Sequence, residues 1–115
     1  MPRADAELDL NRISELQELL GTERAAIVTT LVTELATACA RIQDGLDSGD
    51  LPAVAAAAHA ARNSALMIDA QPLLRVLRQV ETCARNDDPD GARTATARLR
   101  RLWPRLRAKL ERAVD

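Results

Sequence analysis

The chain has 115 residues, enough for one domain with a single core, and a net charge of −1 that gives no bulk attraction to nucleic acid or membrane. Its only aromatic residue is Trp103, so the core must be built from Leu, Val, Ile and Ala, which suits helix-on-helix packing better than a sheet. Cys39 and Cys83 have no CxxC spacing and read as reduced thiols, and a single histidine without paired ligands argues against a zinc site.

The charge is uneven. Residues 1–50 hold 4 basic and 10 acidic groups, net −6, and residues 51–115 hold 12 basic and 7 acidic groups, net +5. Residues 1–8 are polar, carry Pro2, and read as a flexible lead-in to a bundle domain over 9–115. A short helix is expected from Asp9 to Leu20, with Ile13, Leu16, Leu19 and Leu20 as its apolar face and Gly21 as its stop. Thr22 can cap a long second helix. In that helix Val28, Leu31, Val32, Leu35, Cys39, Ile42 and Leu46 recur at three-and-four spacing, with Gly45 a weak point near the end. Ser48-Gly49-Asp50 is a turn. No leader peptide and no apolar run of about 18 residues is apparent, so no membrane insertion is expected.

A third helix follows, LPAVAAAAHAARNSALMI, from Leu51 to Ile68. Asp50 can cap it, Pro52 fits its first turn, and the alanines favour it throughout. At about 100° per residue, Val54, Ala58, Ala61, Ala65 and Ile68 form one stripe, the core face. His59 lies roughly 140° from that stripe and points outward. Arg62 and Asn63 share its face, and Ala55 and Ala56 sit one turn before it.

A fourth helix opens at Pro72 with Leu73, Val76, Leu77, Val80 and Cys83 or Ala84 as its stripe. Asp69 reads as a turn residue or the cap of this helix. Asn86 to Gly91 is rich in turn residues. The fifth helix starts near Asp88 or Pro89 and runs toward Val114, with Ala92, Ala95, Leu99, Leu102, Leu106, Leu110 and Ala113 inward and Pro104 bending it. The expected fold is therefore all-α: an antiparallel up-down four-helix bundle with a short additional N-terminal helix.

The third helix resembles the signature of histidine phosphotransfer (HPt) domains, roughly Ala-His-x-Leu-Lys-Gly-Ser-Ser followed by Gly-Ala and a Leu-rich helix ending near Leu-Glu. Ala58-His59 matches, Arg62 stands at the Lys position, Asn63 at the Gly position, and Ser64 at the first Ser. Ala65 replaces the second Ser, Asp69 replaces the later Gly, and Ala70 matches its Ala. Leu73, Leu77 and Val80-Glu81 follow the helix pattern. Lys109 is the only lysine in the chain, so Arg62 also fits a general preference for Arg.

The resemblance implies a phosphocarrier without autonomous catalytic activity. His59 would accept a phosphoryl group through Nε2 from an aspartyl phosphate of a receiver domain and pass it to another aspartate. Imidazole suits this because it offers an unprotonated ring nitrogen at neutral pH. Arg62 would stabilise phosphoryl charge, with Asn63 and Ser64 flanking the site. Ala55, Ala56, Asn63 and Leu66 would ring the partner surface, Leu66 being its apolar anchor. The chain itself would bind no cofactor or metal; Mg²⁺ is expected in the partner's acidic pocket. The partners implied are a response-regulator receiver domain, a hybrid sensor histidine kinase or both, met by a monomer in the cytoplasm or as a cytoplasmic part of a membrane-bound kinase. Two other readings stand beside it. One is a phosphorylation-incompetent HPt-like module that binds and regulates a receiver or kinase domain. The other is a helical adaptor whose basic last helix, Arg98 to Arg112, binds an acidic partner; that helix lacks the interleaved aromatics of a nucleic-acid surface.

Overall fold

A computed structural model describes residues 23–113, and the expected lead-in, short N-terminal helix and Thr22 cap lie outside these residues. Four α-helices follow one another: α1 (Arg24–Ser48), α2 (Leu51–Met67), α3 (Gln71–Arg85) and α4 (Pro89–Ala113). Each packs on the next, and α4 returns against α1 to close the ring. Short links make successive helices antiparallel, so this is the up-down bundle expected from the sequence, without strands among the described residues.

Each link has a local cause. Gly49 closes α1 with a left-handed φ of 72°, and its N–H reaches back to the carbonyl of Leu46 at 3.2 Å. Asp50 then starts α2: its carboxylate accepts the Ala53 N–H at 3.1 Å, with Pro52 in the first turn. Asp69 is the turn residue between α2 and α3, at φ 52°, a left-handed conformation that Gly favours and Asp tolerates. It does not cap α3. The cap position is Ala70, which makes no side-chain bond, and the Asp69 carboxylate instead accepts from Gln71 Nε2 at 2.6 Å. Asp88 caps α4 by accepting the Gly91 N–H at 3.0 Å, so the last loop is only Asn86–Asp88.

The core runs down the bundle axis. The α2 stripe is as expected: Val54, Ala58, Ala61, Ala65 and Ile68 are all buried. Leu31, Leu35, Ile42 and Leu46 of α1, Leu73, Leu77 and Val80 of α3, and Leu99, Leu106 and Leu110 of α4 close over it. Burying each large aliphatic chain contributes about 1.5–3 kcal/mol. The α4 stripe needs one correction. Trp103 is buried and Leu102 is only partly so, because the inward positions run 99, 103, 106, 110. Helix α4 continues through Pro104 without a break.

Two further sequence readings change. Gly45 is a packing position rather than a weak point: a Cβ there would lie 2.7 Å from Val54 Cγ2, so glycine lets α1 and α2 approach closely. By length and composition alone Ala25–Ser48 could cross a membrane, at a mean hydropathy of 1.4, which corrects the reading that no such run exists. Its large apolar side chains, Val28, Leu31, Leu35, Ile42 and Leu46, are buried in the bundle core.

Candidate functional site

His59 sits mid-way along α2, with its side chain 60% exposed. The small flanking residues leave the ring uncovered. Across the helix interface, α3 brings Glu81 beneath it. Nδ1 of His59 lies 3.0 Å from Oε2 of Glu81, whose side chain is only 9% exposed. A carboxylate can only accept, so the 3.0 Å pair calls for a proton on Nδ1 and leaves Nε2 as the ring nitrogen outside the pair.

Glu81 is also held by two arginines. Arg62 Nη1 donates to Oε1 at 2.8 Å, and Arg85, one turn further along α3, donates to Oε2 through Nε at 2.9 Å and Nη2 at 2.8 Å. Burial alone would raise the Glu81 carboxyl pKa. The hydrogen bonds from Arg62, Arg85 and His59 outweigh burial and hold it below its ordinary 4.5. The carboxylate is therefore ionised at neutral pH and fixed at both oxygens. Arg62 Nη1 also approaches His59 Nδ1 at 3.4 Å, but two donors meet there, so this is proximity rather than a bond.

The remaining expected site residues fall on the two flanks of α2. Asn63 and Ala56 are exposed. Ser64 is buried and donates its hydroxyl to Glu34 Oε1 on α1 at 3.0 Å, a helix-to-helix tie. Leu66, two turns beyond His59 on the same face, is 49% exposed, and Met67 beside it 53%. Ala55 is a correction: it is 5% exposed and belongs to the core. Its position on the wheel turns it toward the α3 flank, the side that Arg62 also takes, and packing there covers it. Between α1 and α2 an open groove of about 480 Å³ runs beside the site, with Thr37, Arg41, Ala57, Ala60 and Asn63 on its walls. Among the described residues no cluster of His, Cys, Asp and Glu has the makeup of a metal site.

The comparisons agree with this geometry. A family model described as Hpt domain matches residues 26–113. The chain belongs to the Hpt domain family. Hpt domains relay phosphoryl groups in two-component signalling, acting as phosphocarriers rather than autonomous enzymes, and they partner with receiver and kinase domains. Two solved structures share the fold. Histidine-containing phosphotransfer protein B (HptB) of Pseudomonas aeruginosa PAO1 superimposes with a TM-score of 0.86 at 20% identity, over 95% of each chain. The maize histidine-containing phosphotransfer protein ZmHP2 gives 0.81 at 23% identity, over 98% of this chain and 91% of the maize chain. No curated protein matches.

Glu81 is the site residue that sequence reasoning missed. It was visible only as the last residue of the Hpt helix pattern. The signal that would have found it is a lone acid on an otherwise apolar face of α3, between Leu77 and Ala84. Such a group is buried only if it is paired.

Proposed function

We propose that His59 is the phosphoacceptor of this Hpt domain, relaying phosphate between aspartates of receiver domains. The observation that carries this is the 3.0 Å pair between His59 Nδ1 and Glu81 Oε2. It supports a reading in which the ring proton sits on the inner nitrogen and the exposed Nε2 is the nucleophile. As the Nε2 lone pair bonds to phosphorus, the O–P bond of the aspartyl phosphate breaks and the carboxylate leaves with that electron pair. The ring keeps its Nδ1 proton and becomes cationic, and the ionised Glu81 faces that developing charge.

Arg62 supplies a cation one turn from His59. Its Nη1 rests on Glu81, so it must turn outward to meet a phosphoryl group. The guanidinium fork can then hold two phosphoryl oxygens. Asn63 stands on the approach face, where its amide can donate to the same group. Ala56, Asn63 and the exposed Leu66 form the surface that meets the receiver, and Mg²⁺ is supplied by the receiver's own acidic pocket. The partners are a response-regulator receiver and a hybrid kinase, met by a monomer. Two free thiols, Cys39 and Cys83, fit a reducing cytoplasm.

The test is direct transfer. The purified domain is mixed with a phosphorylated receiver, or with kinase, receiver and labelled ATP, and acid-labile label is followed on wild type and His59→Gln. Label on wild type alone supports the phosphocarrier. Absence of label on both, with receiver binding still measurable, supports the binding-only module instead.

A further inference from the structure

Glu81 has three partners but two oxygens, and they are shared unequally. Arg62 takes Oε1 alone, while Arg85 and His59 share Oε2. The two arginines differ in what else they can do. Arg62 is on α2 with His59, three residues away, and within reach of whatever His59 carries. Arg85 is on α3 with Glu81, four residues away, and doubly bonded to one oxygen through Nε and Nη2. Arg62 Nε is buried without a partner, so that guanidinium is held less completely.

We infer that Arg85 is a positioning residue for phosphotransfer: it holds Glu81 against His59 Nδ1 during the interval in which Arg62 leaves Glu81 for the phosphoryl group. This rests on the reading of His59 as the phosphoacceptor. The need for such a residue follows from the charges. Once Arg62 turns outward, Glu81 loses its only Oε1 donor at the moment the ring becomes cationic. A carboxylate with one free oxygen at a nearly closed site is free to rotate, and it would release Nδ1. Arg85 grips the very oxygen that accepts from Nδ1, so its two bonds fix that oxygen in place. Two arginines on one carboxylate thus divide the work. One is exchangeable with the phosphoryl group, and the other, though 58% exposed, stays on the carboxylate through its two bonds.

The arrangement is tested on the intact, unphosphorylated domain by ¹⁵N NMR of the single histidine, whose two ring nitrogens report the tautomer. Arg62→Gln imitates the state in which Arg62 has left. It should keep the Nδ1–H tautomer, because Arg85 remains. Arg62→Gln with Arg85→Gln should lose the preference and populate Nε2–H. Loss of the tautomer in Arg62→Gln alone, or its retention in the double variant, would overturn the inference.

A second readout is the rate of labelling by phosphoramidate, a small donor that needs no receiver. Arg85→Gln should slow it on the order of tenfold, by analogy with losing an outer partner of a metal-bound histidine. Arg85→Lys should recover part of that loss by restoring one charged donor. A rate for Arg85→Gln equal to wild type would also overturn the inference. If wild type itself takes no label from phosphoramidate or from a receiver, the phosphocarrier reading fails, and the NMR comparison still decides whether Arg85 holds the pair.

Discussion

His59 on α2 and Glu81 on α3 are 22 residues apart in sequence, and their side chains meet at 3.0 Å. The contact turns an exposed histidine into an oriented one. A proton on Nδ1 satisfies the carboxylate and leaves Nε2 as the nitrogen outside the pair. The arrangement shares with the Ser-His-Asp triad a buried carboxylate that orients an imidazole through Nδ1.

Glu81→Gln should therefore slow phosphotransfer strongly while leaving the nucleophile present. An amide can offer Nδ1 either its oxygen or its NH₂, so the tautomer is no longer dictated. A loss of roughly 10- to 100-fold is expected, by analogy with removing the carboxylate partner of a metal-bound histidine. Rate measurements with a phosphorylated receiver would check it. A Glu81→Gln rate within twofold of wild type would show that the carboxylate is only structural.

The same carboxylate makes stability depend on pH, with a definite sign. The Glu81 carboxyl has a lowered pKa in the folded state because Arg62, Arg85 and His59 bond to its ionised form, outweighing the opposing effect of burial. The unfolded chain then takes up this proton more readily than the folded one. The stabilisation is fully present above the ordinary value of 4.5 and is lost as pH falls from there through the lowered native value. Urea denaturation of wild type and Glu81→Gln should differ by about 1–3 kcal/mol at pH 7, the cost of disturbing a buried charged hydrogen bond. The difference should shrink steadily below pH 4.5. A constant gap across that range would mean that Glu81 does not titrate with folding.

Much of this fold was legible because helix periodicity is local information. The stripe from Val54 to Ile68 needs only a rotation of about 100° per residue. The outward position of His59 follows from the same rotation. What was not legible depends on neighbours. Ala55 reads as a member of the exposed ring, yet it is buried within the core cluster. Trp103 reads as an exception to an aliphatic core, yet it takes the inward position that Leu102 was given. Glu81 needed the register between α2 and α3, which no single-helix pattern contains. Asp69 reads as a turn or cap, and only its φ of 52° separates the two.

Leu66 tests the docking surface. It lies two turns from His59 on the exposed face, half open to solvent, so the folded chain does not need it. Leu66→Asp should change stability by no more than about 0.5 kcal/mol, as for an ordinary surface position. It should weaken receiver binding by roughly tenfold or more, the loss expected when a central apolar anchor is replaced by a charge. Calorimetric titration with the partner receiver, beside a thermal melt, separates the two effects. Unchanged affinity would move the docking surface elsewhere.

Gly45 tests the packing that places the site at all. Helix α1 meets the start of α2 there, and α2 carries His59. A methyl group at position 45 would lie 2.7 Å from Val54 Cγ2, 3.2 Å from the carbonyl oxygen of Asp50 and 3.3 Å from the Val54 N. Val54 is fully buried, so its side chain has nowhere to go. The Asp50 N–H also bonds the Gly45 carbonyl at 2.7 Å, which ties the turn to the same point. Alanine is the better helix former by roughly 1 kcal/mol, and at an exposed position Gly45→Ala would stabilise α1. Here the clash opposes that gain, because overpacking a tight contact costs about 1–3 kcal/mol and two of the three atoms are backbone. The net expectation is destabilisation of about 1 kcal/mol, the difference between these two effects. Phosphotransfer at a temperature well below the melt should be nearly unchanged, since His59 lies about two turns of α2 beyond Leu51 and its Glu81 contact is made with α3. A Gly45→Ala variant more stable than wild type would mean that α1 and α2 can separate there without cost.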